Sequence, residues 1–231
     1  MKRLEEALEG THLGNCRIGI GSRLLHDIKA DEVLVVIDNL RASSTVVTGL
    51  YIGVEEIIPV LDDEEAFSLK KKGIVIAGES GGTKIPGYDI GNSPAELVKT
   101  FEKSPFKKLV LRTTNMIPLL SCLPNALICS SLNLETVAEH LEGKNACIIA
   151  VGGTRGASED LGVALALSAC LSRVSFDKNL VTYFTKESLA AKHLEEIGYR
   201  EDIDFISRVS IFDVLPLYDG KTITKARVKN G

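Results

Sequence analysis

The fold is decided at residues 73–97, which read GIVIAGESGGTKIPGYDIGNSPAEL. The apolar run GIVIA at its start predicts a buried strand bounded by turn residues. The sequence SPAE at 93–96 has capping-box spacing with proline at the first helical position, so we expect a helix to begin there. The polar loop between them is rich in glycine and contains Glu79, Asp89 and Lys84. Long loops in compact domains are usually functional or disordered, and the well-marked flanking elements favour function.

The alternation of strand and helix continues in both directions along the chain. Strands are predicted at 33–37, 55–60, 108–111, 125–129, 146–151 and 221–228, and helices at 42–50, 62–72, 116–120, 134–141, 158–171 and 186–197. Strands that alternate with helices, each strand an apolar and often β-branched run, indicate an α/β fold with a mainly parallel sheet. No linker, repeat or low-complexity tract interrupts the pattern, so we expect one domain over residues 1–231.

Composition excludes several classes of protein. The 231 residues carry a net charge of −4 without a Lys/Arg block, which gives no electrostatic footprint for nucleic acid or an anionic membrane. No apolar stretch reaches transmembrane length, and the first residues, MKRLEE, do not form a signal peptide. The five cysteines are odd in number and mostly in apolar surroundings, which favours reduced core thiols over a disulfide framework. A cytoplasmic protein is therefore expected.

A polar cluster follows each of the main predicted strands. In open α/β sheets, ligands bind beyond the carboxyl ends of the strands, and the ends of parallel strands meet at one edge. Helix N-termini, hydroxyls and arginines suit phosphate or sulfonate oxygens, and carboxylates hold Mg²⁺. The sequence therefore predicts a site for a small phosphorylated anion with Mg²⁺. The clusters are Asp38, Arg41, Ser43, Ser44 and Thr45; Glu79, Lys84 and Asp89; Thr113, Thr114 and Asn115; Ser131 and Asn133; and Gly153, Thr154, Arg155, Glu159 and Asp160.

Several polar residues also have a structural interpretation. Ser93 is fully explained as a helix cap. Glu159 and Asp160 stand in the first turn of a helix, where the helix dipole favours acids, so structure and function are equally supported. The hydroxyls at 43–45 can cap a helix, and only their nearness to a carboxylate and an arginine favours function. The histidines show no ligand spacing, so surface or core positions are expected for His12, His26, His140 and His193.

Familiar catalytic motifs are missing. The chain has no P-loop signature and no G-x-G-x-x-G fingerprint. No cysteine is followed by arginine six positions later, which excludes a cysteine-phosphatase loop, and no Asp-x-Asp follows the first predicted strand. At this point the residues indicate an α/β protein that binds a small phosphorylated anion, and the reaction stays open.

Five blocks between residues 38 and 160 resemble the 2-phosphosulfolactate phosphatase family. DNLRASST at 38–45 is similar to the family's D-V-L-R-A-T-T-T, and the segment at 78–94 follows G-E-R-G-G-x-K-I-x-G-F-D-x-G-N-S-P nearly throughout. TTNMI at 113–117, SSLN at 130–133 and GGTRGASED at 152–160 match three further blocks. In two departures from the family, Ser80 replaces an arginine, and Met116-Ile117 replaces Gly-Thr.

The resemblance implies a three-layer α/β/α fold and a homo-oligomer. It also implies an Mg²⁺-dependent phosphatase of coenzyme M biosynthesis that converts 2-phospho-3-sulfolactate to 3-sulfolactate and phosphate. The two departures leave two alternatives open. One is a phosphatase for another small phosphorylated acid, and the other is a non-catalytic paralogue that only binds a small anion.

Roles for the site residues follow as a hypothesis. Asp38, Glu79 and Asp89 are expected to hold Mg²⁺, and either Glu159 or Asp160 is expected to act as general base or supporting carboxylate. A water activated by the metal is the preferred nucleophile, because coordination lowers its pKa. A covalent intermediate on Asp38 or on Ser44 is the alternative. The residues expected to bind or orient the substrate are Arg41, Ser43, Ser44, Thr45, Lys84, Asn92, Thr113, Thr114, Asn115, Ser131, Asn133 and Gly153.

Overall fold

The computed structural model describes residues 12–13 and 15–226 of the chain. Strands within these residues form one mixed sheet in the order β1-β2-β9-β3-β8-β10-β11-β4-β7-β5-β6. In chain order the strands are β1 (His12–Leu13), β2 (Cys16–Ile20), β3 (Glu32–Ile37), β4 (Glu56–Pro59), β5 (Val75–Ser80), β6 (Thr83–Lys84), β7 (Lys108–Arg112), β8 (Ala126–Cys129), β9 (Asn145–Ala150), β10 (Pro216–Tyr218) and β11 (Ile223–Lys225).

Helices cover both faces of this sheet. Two short 3₁₀ helices, Gly21–His26 and Ser131–Asn133, accompany the α-helices. The α-helices are α1 (Ala42–Ile52), α2 (Asp63–Lys70), α3 (Pro94–Lys103), α4 (Met116–Leu120), α5 (Leu134–His140), α6 (Ser158–Leu171), α7 (Lys178–Glu187), α8 (Leu189–Glu196) and α9 (Arg200–Ile206).

The sheet contains two groups of parallel strands. Strands β2, β9, β3 and β8 form one parallel group, and β4, β7 and β5 form the other. The antiparallel hairpin β10–β11 joins β8 to β4, while β1 and β6 pair in antiparallel fashion at the two edges. The predicted α/β fold with a mainly parallel sheet is therefore confirmed.

Because β8, β10, β11 and β4 pair in antiparallel fashion, the strands of the second parallel group run opposite to those of the first. The expectation was a single parallel sheet in which all strand ends meet at one edge. Six steps separate β3 from β5 in the strand order. Neighbouring strands rotate by roughly 20–25°, so six steps add up to roughly 120–150° of twist. This rotation offsets most of the reversal, and Asp38 after β3 therefore lines the same cavity as Glu79 in β5.

Alternate residues of a central strand pack into different cores. In β3, Leu34 and Val36 belong to the core that contains side chains of α1 and α4, whereas Val35 and Ile37 belong to the core that contains side chains of α5, α6 and α7. Burial of each such side chain contributes about 1.5–3 kcal/mol, and this two-sided burial explains why the strand is an unbroken apolar run. Helices on both faces make the fold the predicted three-layer α/β/α arrangement.

Some boundaries differ from the sequence predictions. Strand β5 extends through Ser80 and pairs with β6, so part of the predicted loop is a hairpin. The helix expected at 186–197 is two helices, because Ser188 caps α8 by accepting a hydrogen bond from Ala191 N. The strand expected at 221–228 is β11, and residues 227 and 228 lie outside the described residues. Helix α9 and strand β10 are absent from the sequence prediction.

All five cysteines lie in the described part of the chain and none is in a disulfide, in agreement with the expected reduced thiols. Cys16, Cys129 and Cys147 are buried, but Cys122 is exposed. Among the helices of the described residues, none has both the length and the apolar character needed to cross a membrane. The expectation of one domain over residues 1–231 stays a prediction.

Candidate active site

A cavity of about 130 Å³ lies where the loops after β3, β7 and β9 meet the end of β5. This volume has room for a small anion and a few waters. Residues predicted from the sequence make up much of its wall. They are Asp38, Arg41, Glu79, Asn92, Thr114, Asn115, Gly153, Glu159 and Asp160.

Four of the wall residues are buried carboxylates, namely Asp38, Glu79, Glu159 and Asp160. Burial raises the pKa of Asp38 to about 7, and the negative charges of Glu79 and Glu159 contribute to the increase. Burial also raises the pKa of Asp160 well above its usual range, with Glu159 and Asp38 adding to the effect. Such mutual raising means that nearby cations do not balance the negative charge of the cluster.

The Glu79 carboxylate is fixed by the backbone of two loops. Gly82 N donates to its Oε2 at 2.7 Å, and Thr114 N donates to its Oε1 at 2.7 Å. Gly82 has φ +93°, a left-handed conformation that glycine adopts without strain in the β5–β6 turn. Each carboxylate oxygen keeps further acceptor capacity after these bonds, so Glu79 is held rigidly and can still bind a ligand.

Asp160 joins two of the loops around the cavity. Its Oδ1 accepts a hydrogen bond from Asn39 N at 2.7 Å, and its Oδ2 accepts one from Gly152 N at 2.8 Å. These bonds connect the loop after β3 to the loop after β9. Asp160 is therefore engaged in holding the wall together, whereas its neighbour Glu159 lines the cavity from the first turn of α6.

The guanidinium of Arg41 is buried beside the cavity and anchored at several points. Its Nη1 donates to Asp202 Oδ2 at 2.7 Å, and its Nη2 donates to the carbonyl oxygen of Gly82. The guanidinium carbon also lies 4.1 Å from the centroid of the Tyr199 ring, a cation–π arrangement. Sequence reasoning missed Asp202 and Tyr199, since an acidic segment without a motif gives no signal for such a contact.

Helix α8 and the loop after β9 complete the wall. Ala190, His193 and Leu194 line the cavity from α8. The carbonyl oxygen of Gly81 accepts a hydrogen bond from His193 Nε2 at 3.0 Å, so that nitrogen carries the proton. His193 is half-buried at the surface, as expected, and its position in the cavity wall was not predicted. Its role depends on how α8 packs over the β5–β6 turn, which ligand spacing in the sequence does not reveal.

Gly153 and Asn115 meet closely at one point of the wall. A Cβ atom at position 153 would lie 2.8 Å from Asn115 Nδ2, so the glycine permits this approach. Arg155, in the same loop as Gly153, lines the cavity and is exposed to solvent. Arg155 is therefore a second arginine of the cavity wall, besides Arg41.

The structure does not bring Asp89 and Lys84 to the cavity. Asp89 lies 2.5 Å from Lys70 Nζ and accepts a hydrogen bond from Ile76 N at 3.0 Å, on a partly exposed surface. Lys84 is also partly exposed and lies 3.7 Å from Glu96. Both residues lie outside the cavity wall, so the structure does not bring the predicted metal ligand Asp89 or the predicted anion-binding Lys84 to this cavity.

Three of the four predicted hydroxyls, those of Ser43, Ser44 and Thr113, form hydrogen bonds with the backbone. Ser43 Oγ accepts from Asp38 N at 2.8 Å, and Ser44 Oγ donates to Asn39 O at 2.8 Å. Thr113 Oγ1 accepts from Ile117 N at 3.2 Å. The buried Thr45 hydroxyl has no hydrogen-bond partner in the described part of the chain. None of the four lines the cavity, so the structure does not bring these predicted substrate-binding residues, or Ser44 as the alternative nucleophile, to its wall.

Ser131 and Asn133 also have supporting positions. Ser131 Oγ donates to Ile206 O at 2.5 Å. Asn133 Oδ1 accepts from Ser130 N at 2.9 Å, and its Nδ2 donates to Val214 O at 3.0 Å. Both residues connect the end of β8 to the C-terminal part of the chain. Neither is in the cavity wall, so the structure does not bring these predicted substrate-binding residues to the cavity.

Comparison with known proteins identifies the family. The family model for 2-phosphosulpholactate phosphatase matches residues 21–221. The chain belongs to this family. Its members are phosphatases, which hydrolyse phosphoric monoesters.

Curated relatives include a probable 2-phosphosulfolactate phosphatase of Thermotoga maritima, 36% identical over 209 residues that cover 83% of this chain and 91% of the relative. The protein of the same name from Thermotoga petrophila is 35% identical over 83% of this chain and 91% of its own length. The one from Caldanaerobacter subterraneus is 34% identical over 82% of this chain and 88% of its own length.

The two departures from the 2-phosphosulfolactate phosphatase motifs lie outside the cavity wall. Ser80 is exposed at the end of β5, next to the inward-facing Glu79. Met116 is fully buried, and its sulfur accepts a hydrogen bond from Ser43 Oγ at 3.5 Å. In this chain, neither Ser80 nor Met116 lines the cavity.

The donor set can be compared with the Mg²⁺ that the family resemblance implies. Across residues 12–13 and 15–226, no three acidic, histidine or cysteine side chains converge closely enough to enclose a metal ion. Mg²⁺, however, usually keeps several waters and binds one or two carboxylates plus substrate phosphate. The carboxylates of Asp38 and Glu79 in the cavity wall fit this open mode, and so does the buried Asn92 Oδ1, which has no hydrogen-bond partner within the described residues.

Proposed function

We propose that the protein hydrolyses 2-phospho-3-sulfolactate to 3-sulfolactate and phosphate in this cavity, as a step of coenzyme M biosynthesis. The observation that carries the proposal is that the carboxylates of Asp38 and Glu79 and the buried guanidinium of Arg41 line one small cavity. Family membership and the names of the curated relatives support the choice of substrate.

Positive groups in the wall account for recognition of an anionic substrate. Arg41 keeps unused N–H groups, and Arg155 offers an exposed guanidinium at the same cavity. Arginine suits phosphate and sulfonate groups because its N–H donors form a planar fork. We assign the phosphate to Arg41, which is buried near the carboxylates, and the sulfonate to Arg155.

Asp38 and Glu79 are the residues that would hold Mg²⁺. When bound there, the ion would neutralise charge on the phosphate and supply an acidified water. Glu79 suits this role because two backbone N–H groups fix its carboxylate at 2.7 Å each. Removal of Asp89 from the predicted set leaves two carboxylates, which agrees with the usual Mg²⁺ preference.

Glu159 is the residue that we assign as general base. Both Glu159 and Asp160 line the cavity. Asp160 ties two loops together through hydrogen bonds from Asn39 N and Gly152 N, and Glu159 lies close enough to Asp38 for its charge to contribute to the raised pKa of that residue. The oxygen of water attacks phosphorus, Glu159 accepts the proton of the water, and the bond from phosphorus to the substrate oxygen breaks. The alkoxide of sulfolactate then takes up the proton from Glu159, which restores the Glu159 carboxylate.

Phosphate release from racemic phosphosulfolactate, with Mg²⁺ or with EDTA, tests the proposal against a panel of other small phosphate esters. We expect Mg²⁺-dependent release that is fastest for phosphosulfolactate. Release from another ester alone would keep the phosphatase and refute the substrate. No release from any ester, with the protein folded and Mg²⁺ present, would refute catalysis and favour a protein that only binds a small anion.

The homo-oligomer and the cytoplasmic location stay predictions. Light scattering coupled to size-exclusion chromatography measures the first directly. A mass of 24.9 kDa would indicate a monomer and contradict the expectation.

A further inference from the structure

We propose that Asp202 is a positioning residue of this site, which orients Arg41 so that its unused N–H groups face the bound phosphate. The inference rests on the proposed function, because it assigns the anion of the substrate to Arg41. Asp202 lies in the first turn of α9, beyond the sequence blocks at 38–160 that carry the family resemblance.

The contact between Asp202 and Arg41 is a buried ion pair. Their side chains are 1% and 2% exposed, and Nη1 lies 2.7 Å from Oδ2. At such burial, a charge-assisted hydrogen bond is short and directional, so it fixes the plane of the guanidinium as well as its position. A long arginine side chain without this bond would lose its preferred orientation.

Asp202 is itself held by the start of α3. Ser93 Oγ donates to Asp202 Oδ1 at 2.7 Å, and Ala95 N approaches the same oxygen at 3.2 Å. One carboxylate oxygen therefore binds the N-terminal turn of a helix, and the other binds Arg41. Because the carboxylate of Asp202 is fixed to the start of α3, it holds the Arg41 guanidinium at a fixed position relative to that helix.

The hydrogen-bond inventory of Arg41 leaves donors for a ligand. A guanidinium has five N–H groups. One on Nη1 is used by Asp202 and one on Nη2 by the Gly82 carbonyl, while the Tyr199 ring packs against the guanidinium. Nε–H and one N–H on each terminal nitrogen remain. Since Arg41 also lines the cavity, these are the groups that a phosphate oxygen can meet.

The decisive variant is Asp202→Asn, which keeps the shape of the side chain and removes its charge. Inorganic phosphate is the probe, and its dissociation constant is measured by calorimetry beside kcat and KM for phosphosulfolactate. We expect the dissociation constant and KM to rise about tenfold, within the range found for coupled residues, with a smaller change in kcat. Unchanged or tighter phosphate binding would refute the inference.

A double-mutant cycle separates positioning from a general loss of structure. If Asp202 acts through Arg41, the variant Arg41→Gln/Asp202→Asn binds phosphate no more weakly than Arg41→Gln alone. Effects that multiply would contradict the proposal. Glu32→Gln is the matched control, because Glu32 forms a similarly buried pair with Arg17, 2.6 Å apart, at the amino end of β3. It should lower the melting temperature and leave phosphate binding unchanged.

Asp202→Glu keeps the test decisive if Asp202→Asn does not fold. The longer side chain retains the charge but displaces the guanidinium, so KM should rise while the melting temperature stays near that of the wild type. A wild-type KM in Asp202→Glu would refute positioning. If phosphate binding weakens in Asp202→Asn but the wild-type protein hydrolyses no ester, the proposed function alone is refuted. If the wild-type protein hydrolyses phosphosulfolactate and Asp202→Asn has the same KM and kcat, the inference alone is refuted.

Discussion

Glu79→Gln and Asp89→Asn are expected to have opposite consequences, although both residues stand in one glycine-rich sequence block. Glu79 lies in the cavity wall and is 7% exposed. Asp89 lies on the surface beside Lys70, with 36% of its side chain exposed. Both changes convert a carboxylate to an amide, so each variant is the matched control of the other.

The structure sets the expected magnitudes. Glutamine at 79 replaces one accepting oxygen with an NH₂ group, so one of the two backbone hydrogen bonds to Gly82 and Thr114 is lost. A hydrogen bond to a charged group is worth about 1.5–3 kcal/mol, and we expect the free energy of unfolding to fall by about that amount. An exposed ion pair such as that of Asp89 is worth about 0.2–1 kcal/mol.

Steady-state phosphate release from phosphosulfolactate with Mg²⁺ provides the assay. We expect kcat/KM to fall at least about 100-fold in Glu79→Gln, a loss of about 2.7 kcal/mol of transition-state stabilisation. Asp89→Asn should stay within about twofold of the wild type. Equal losses in both variants, with both proteins folded, would refute the placement of the site.

Four further outcomes follow from the site. In metal-free protein, Asp38 and Asp160 have a higher pKa folded than unfolded, so stability should fall as pH rises from about 4 through 7; denaturant unfolding that shows a rise would contradict this. Ser44→Ala should lose about 1 kcal/mol of stability with its bond to the backbone and keep most of its activity, whereas a trapped phosphoserine there would refute the assignment. Arg155→Ala should raise KM about tenfold for phosphosulfolactate and less for esters without sulfonate, as loss of a charged hydrogen bond predicts; equal effects would remove Arg155 from specificity. Ser80→Arg should leave kcat/KM within about threefold, as for most surface changes, and a larger gain would show that position 80 reaches the substrate.

The layers of the fold were predictable because burial leaves a periodic record in the sequence. The run at 33–37 is apolar at every position, since both faces of β3 are covered by helices. Of the hairpin β10–β11, only β11 falls in a predicted strand; β10 has three residues, and the place of the hairpin between β8 and β4 depends on long-range pairing. The reversal of the second strand group was therefore not predictable.

The candidate site was predictable only where a motif fixes a residue type. Asp38, Arg41 and Glu79 follow strand ends and line the cavity, but the same reasoning also selected Asp89, because a glycine-rich loop has no periodicity that separates inward from outward positions. His193 and Asp202 were missed for a different reason. Their contacts with Gly81 and Arg41 arise from the packing of separate helices.

The kinetics of Asp38→Asn test the central claim most directly, because Asp38 lies in the cavity wall and burial, with the charges of Glu79 and Glu159, raises its pKa to about 7. Phosphate release from phosphosulfolactate is measured across a Mg²⁺ titration, beside the melting temperature. We expect Asp38→Asn to fold and to lose at least about 100-fold in kcat/KM, which corresponds to about 2.7 kcal/mol of transition-state stabilisation. Wild-type turnover by Asp38→Asn at saturating Mg²⁺ would contradict the assignment of this cavity as the active site.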